Sequence, residues 1–196
     1  MPNSPFLIKK SIRIYIISFL LLLIPSGYAG AGDDIQWKEI KSKYTVIRYQ
    51  SDRDLEIFND KVDYDPVSSE SGLEWLLSSS GGNDPEKELV NKVDALYRRV
   101  QEILGMRKAM EKIKINIYHD KEQLKEAFFE IYRKEGNHRA WYVFELNTIF
   151  ISIDDLHEGM LAHEMAHSII DHYLTVRPPA ASAEILARYV DSHLLE

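Results

Sequence analysis

The stretch LHEGMLAHEMAHSIIDHY, residues 156–173, decides how this chain is read. Leu156, Met160, Leu161, Ile169 and Ile170 give it enough apolar surface to bury one side of a helix. Asp154 or Asp155 is expected to cap that helix, and Pro178-Pro179 to break the chain beyond Tyr173. At its centre stands Ala162-His163-Glu164-Met165-Ala166-His167. Histidines four apart sit one turn above each other, with Cβ atoms roughly 5–6 Å apart, so two imidazoles can converge on one metal ion. Glu164, one step on from His163, points toward the neighbouring space.

Zinc suits such nitrogen and oxygen donors, and a catalytic zinc takes three protein ligands and leaves its fourth position to water. The bound water's pKa falls to about 7, within reach of a carboxylate base such as Glu164. The third ligand is sought in Ala183-Glu184-Ile185-Leu186-Ala187-Arg188-Tyr189-Val190-Asp191. A helix over residues 180–195, reached by the short turn at Pro178-Pro179, would pack antiparallel to the first and face Glu184 to the histidine pair. Asp171, His172 and Asp191 compete for the role. Asp171, four residues beyond His167, reads more readily as a supporting carboxylate or ion-pair partner. His172 lies roughly 100° further round the helix and reads as a surface or packing histidine.

Outward from this stretch, the pattern alternates between strands and helices. Residues 140–145 and 148–153 are β-rich and read as a hairpin turning tightly at Leu146-Asn147. Ile113, Ile115 and Ile117 alternate with Lys114, Asn116 and Tyr118, the mark of a half-buried strand. Asp120 caps a helix over 121–134 that ends near Gly136. Asp84-Pro85-Glu86 opens a long helix whose Leu89, Val93, Leu96, Tyr97, Val100, Ile103 and Leu104 form one apolar face, with Gly105 as the stop. Two further strands are expected at 35–40 and 43–50, and a short helix at 53–62. Residues 63–86, with Asp65-Pro66, a serine cluster and Gly81-Gly82, read as a surface insertion. The sum is an α+β domain, a mixed sheet with helices packed on it.

Composition narrows the functions. The 196 residues are 45% hydrophobic and 11% aromatic, which argues against wholesale disorder. No cysteine is present, so disulfide scaffolds, cysteine-ligated metals and thiol nucleophiles are excluded. A net charge of −7 argues against a general nucleic-acid binder. Residues 1–31 read as a signal peptide: Lys9, Lys10 and Arg13, an apolar run over 14–24, then Ala29-Gly30-Ala31 with cleavage expected after Ala31. That run is short of the roughly 20 apolar residues a membrane span needs. The expectation is an exported domain over residues 32–196, periplasmic or secreted, with no stable membrane span after cleavage.

His163-Glu164-Met165-Ala166-His167 with Glu184 on a second helix resembles the gluzincin zinc metallopeptidases, in particular the small peptidase MA-like group. Pro178-Pro179 and Glu184-Ile185-Leu186-Ala187-Arg188-Tyr189 resemble that family's proline-rich turn and E-x-x-A-x-Y helix. The resemblance implies a zincin-like fold, zinc held by His163, His167 and Glu184, Glu164 as general base, and a peptide or protein substrate. It also implies that the hairpin over 140–153 edges the cleft and pairs with an extended peptide, Trp141, Tyr142 and Phe144 being candidates to line a subsite. Tyr189 is taken as the oxyanion donor, with Arg188 and Tyr173 as alternatives. Two positions depart from the family. Arg188 stands where an acid often orients a histidine, so Asp191 or Asp171 must serve instead, and Ile185 replaces a usual glycine and is expected to crowd the pocket. The competing reading is a zinc-bearing module that binds peptides without cutting them.

Overall fold

Ile47, Ile115, Ile117, Ile149 and Ile151 are fully buried and lie on three neighbouring strands of one sheet. The computed structural model describes residues 36–64 and 85–195. Its strands are β1 (Lys38–Lys41), β2 (Thr45–Tyr49), β3 (Ile113–Tyr118), β4 (Ala140–Val143) and β5 (Thr148–Ser152). Its helices are α1 (Asp52–Lys61), α2 (Pro85–Ile103), α3 (Lys121–Tyr132), α4 (Glu158–Tyr173) and α5 (Ala180–His193). Across the sheet the order is β1-β2-β3-β5-β4. β2, β3 and β5 are mutually parallel, and β1 and β4 flank them antiparallel. This is the mixed sheet on helices that the sequence predicts.

The two faces of the sheet have separate cores. On one, the isoleucines meet Leu89, Val93 and Leu96 of α2, Leu161, Met165 and Ile169 of α4, and Ala183 and Ala187 of α5. Each fully buried side chain of this size contributes on the order of 1.5–3 kcal/mol. On the other face, α3 brings Leu124, Ala127 and Phe128 against Tyr118, Trp141, Val143 and Phe150. The second layer corrects the expectation for β3: Tyr118 packs with α3 and Asn116 is buried too, so only Lys114 of the expected outer face stays exposed. Among the described residues, no helix is long and apolar enough to cross a membrane.

Helix ends depart from the expected boundaries for local reasons. α4 starts at Glu158 with His157 as its cap, Nδ1 accepting from the Met160 N–H at 3.2 Å. Asp155 does not cap it: Lys121 and Arg139 hold its carboxylate at 3.0 and 3.5 Å, and the helix begins three residues further on. α3 stops at Tyr132, where Arg133 turns left-handed (φ 54°) and its N–H closes on Phe129. The hairpin is not a two-residue turn. Residues Phe144–Leu146 form one turn of 3-10 helix, and Asn147 takes the left-handed conformation (φ 44°) that its short polar side chain tolerates. Asn147 Oδ1 accepts from Ser168 Oγ at 3.1 Å, tying this turn to α4. Tyr64, assigned to the surface insertion by sequence, is buried in the main core. The signal peptide over 1–31, the cap at Asp84 and residues 65–84 of the insertion lie outside the described residues.

Candidate metal centre

α4 carries its apolar residues Leu161, Ala162, Met165, Ala166, Ile169 and Ile170 into the core. Its other side, at His163 and His167, meets α5. Ala183 and Ala187 are small enough to let the two helices approach closely, and Val190 anchors the far end of the seam. The helices run antiparallel: His163 meets Asp191, late in α5, while His167 meets Glu184, early in α5.

Three donor atoms converge there. The Nε2 atoms of His163 and His167 are 3.2 Å apart, and Glu184 Oε2 is 3.6 Å from each. Two of these edges are equal and the third is close to them, so the centre of the triangle lies about 2.0 Å from every corner, the length of zinc–nitrogen and zinc–oxygen bonds. His163, His167 and Glu184 are the only cluster of this kind among the described residues. His163 Nδ1 faces Asp191 Oδ2 at 3.0 Å, which aims its Nε2 into the triangle. Arg188 Nε donates to Glu184 Oε1 at 2.7 Å, so Oε2 is the oxygen turned to the histidines. These residues fit a divalent cation with nitrogen and oxygen preference.

The charges are arranged to match. Burial, followed by the neighbouring His163, lowers the His167 pKa, which keeps that imidazole neutral and its lone pair available at pH 7. The hydrogen bond from Arg188 holds the Glu184 carboxyl below the usual range, and thus ionised. Glu164 is 9% exposed, and burial pushes its carboxyl up to about 7, against the opposing pull of His163 and of the Tyr142 backbone N–H. A carboxyl with that value is poised to exchange protons near neutrality.

A pocket of about 540 Å³ opens over these groups, walled by Tyr142, Glu164, Asp171, Arg177 and Pro178. A larger cavity of about 780 Å³ beside Phe129 of α3 and Gly136 beyond the end of that helix is lined by none of these residues. β4 edges the cleft. Ser152 N–H donates to the Arg139 carbonyl, so hydrogen-bonded pairing alternates from there, and Ala140 and Tyr142 turn their N–H and C=O groups away from β5.

Other expected participants fall elsewhere. Tyr189 is not brought to the pocket; it is 48% exposed with its ring stacked on His193 at 3.9 Å. Ile185 points to solvent and does not crowd the cleft. Trp141 belongs chiefly to the opposite core, stacked on Phe150 at 4.9 Å. Asp171 is buried against Arg177, and His172 pairs with the Tyr142 hydroxyl at 2.8 Å and stacks on Phe144. Asp191 takes the supporting role, at seven residues and two helical turns beyond Glu184. Arg177 was not foreseen, since nothing in its sequence neighbourhood signals that the loop before α5 folds it into the pocket. In comparisons with known proteins, no family model, no curated protein and no solved structure matches this chain.

Proposed function

We propose that this protein is a zinc-dependent peptidase of gluzincin type with a zincin-like fold, cutting peptide bonds with Glu164 as general base. The observation that carries the reading is the triangle of His163 Nε2, His167 Nε2 and Glu184 Oε2 with a buried carboxyl, Glu164, beside it. A purely structural metal site has no use for that fourth group. Export is part of the proposal and rests on the leader-like pattern of residues 1–31.

His163, His167 and Glu184 would hold the ion, and Asp191 and Arg188 would fix the donor atoms that face it. Zinc, when bound, supplies a Lewis acid that brings the ionisation of water down to a pKa of about 7. Glu164 takes the water's proton on its carboxylate and delivers it to the leaving amine. The outward N–H and C=O of Ala140 and the C=O of Tyr142 hold an extended peptide against the edge of the sheet, while the Tyr142 N–H serves the Glu164 carboxyl. Tyr142 reaches the cleft both through this backbone and as a pocket wall.

A second reading, a peptide-binding module without hydrolysis, is favoured by one contact: Arg188 engages the other oxygen of the ligand Glu184. One experiment separates the two. A broad peptide pool is incubated with zinc-loaded protein, with chelator-treated protein and with the Glu164→Gln variant. The peptidase reading expects cleavage by the first alone, with stoichiometric zinc retained in the variant. Cleavage by Glu164→Gln at the wild-type rate would refute the mechanism, and absence of any product would favour the binding module.

A further inference from the structure

Arg177 lies on the loop between α4 and α5 and lines the same pocket as His163, His167 and Glu184. It is the one lysine or arginine in that lining; Glu164, Asp171 and Glu184 are its acids. Two contacts hold its guanidinium in place. Nε sits 2.9 Å from Asp171 Oδ2, a carboxylate only 5% exposed and fixed on α4 one turn beyond His167. The guanidinium also lies over the Phe144 ring, 4.7 Å from its centroid. Phe144 is in turn stacked on His172, which bonds the Tyr142 hydroxyl on the edge strand. A surface arginine serving only solubility is free to sample many rotamers; this one is pinned from two sides while half of it stays exposed.

The pinning uses Nε and the flat face of the group. The paired Nη1 and Nη2 atoms form the end that matches a carboxylate two bonds at a time. We propose that Arg177 is a specificity-determining residue whose Nη pair receives a carboxylate of the bound peptide, so that the pocket selects anionic peptides. The inference rests on the peptidase reading of the same pocket. The acids on the other walls strengthen it. They disfavour a ligand carboxylate that meets neither Arg177 nor the metal, which narrows the register of the chain as well as its charge. The carboxylate can be the chain terminus or an acidic side chain, and the two sources are separable.

The test is binding to the zinc-loaded Glu164→Gln protein, measured by fluorescence anisotropy. The probes are fluorescein-labelled random pentapeptides without acidic residues, prepared as free acids or as amides, and amides carrying one Glu. The expected result is binding about tenfold tighter for one anionic pool than for the neutral amides, which a charge-assisted bidentate pair supplies. Tighter binding of the free acids identifies the chain terminus, and of the Glu amides an acidic side chain. Arg177→Gln should erase the preference and Arg177→Lys should restore only part of it. Because Arg177→Gln leaves a buried charge on Asp171, the double variant Asp171→Asn/Arg177→Gln is measured beside it, with circular dichroism reporting the fold. Equal binding of all three pools, no binding of any, or a preference that survives in the folded double variant overturns the proposal. Cleavage by the wild-type protein with no such preference leaves the peptidase reading standing and removes only the role of Arg177. An Arg177-dependent preference without cleavage by the wild-type protein does the reverse.

Discussion

Asp191 offers the sharpest quantitative test, because its carboxylate touches the centre without belonging to the triangle. Its Oδ2 lies 3.0 Å from His163 Nδ1, and both Asp191 and Glu184 side chains are about two-fifths exposed. Carboxylates that orient a metal-bound histidine are typically worth ten- to a hundredfold in metal affinity. Solvent screening at this exposure argues for the lower end, so Asp191→Ala should weaken zinc binding about tenfold, or about 1.4 kcal/mol. Asp191→Asn keeps an acceptor and loses the charge. Since a charge-assisted hydrogen bond is roughly twice a neutral one, the loss should be near threefold. Competition against a fluorescent chelator at pH 7.5 gives the affinities directly. Denaturant unfolding gives a second readout: at fixed excess zinc the alanine variant should lose about 1.4 kcal/mol of zinc-dependent stability. Without metal it should unfold within about 1 kcal/mol of wild type, as the loss of one partly exposed hydrogen bond allows. Unchanged zinc affinity in a folded Asp191→Ala protein would refute the orienting role. A stability loss of equal size with and without zinc would reassign Asp191 to the fold alone.

Tyr189→Phe should leave the rate of peptide cleavage within about twofold, because its ring stacks on His193 outside the pocket; a hundredfold fall in kcat would restore it as an oxyanion donor. His119 pairs with the buried Asp54 at 2.7 Å, and that hydrogen bond raises its pKa above the ordinary 6.5. The pairing therefore adds stability that is fully present below about pH 6.5 and fades as pH rises through the folded-state value. An NMR titration should place the His119 midpoint above 6.5, and His119→Gln should flatten the difference in unfolding free energy across that window. Leu161→Ala, at a fully buried site where α4 meets the sheet, should cost about 2–5 kcal/mol in urea unfolding; a loss under 1 kcal/mol would mean α4 is not packed as described.

The elements of this fold are legible wherever a periodic apolar face meets a clear stop. The long helix α2 shows five of its expected face residues, Leu89, Val93, Leu96, Tyr97 and Val100, buried, and Gly105 ends it with a φ of 65°. Asp120 caps α3 as its position suggests. What periodicity does not carry is what covers the far side of a strand. Lys114, Asn116 and Tyr118 read as a polar face, yet the last two are buried, Tyr118 against α3, which comes later in the chain. Nor does local sequence say which of several polar residues will cap. Asp154, Asp155 and His157 all precede α4; Lys121 and Arg139, distant in the chain, engage Asp155, and His157 takes the cap.

The site follows the same division between local and long-range information. Two histidines one turn apart and a glutamate beyond a proline turn are a local pattern, and the three donor atoms meet as that pattern suggests. The antiparallel crossing of α4 and α5 then explains why Arg188 does not leave the centre without an acid. Four residues after Glu184 a side chain lies one turn further along α5, where Arg188 reaches back to Glu184. Seven residues after Glu184 the helix has turned almost twice and faces α4 again, now level with His163, and there stands Asp191. In an antiparallel pair the later residue of one helix meets the earlier residue of the other, so the histidine nearer the start of α4 must find its acid further along α5 than the ligand itself. Spacing thus assigns the ligand and its supporting carboxylate to one face. Arg177 has no such rule, since its place depends on how a six-residue loop seats it between the buried Asp171 and the ring of Phe144.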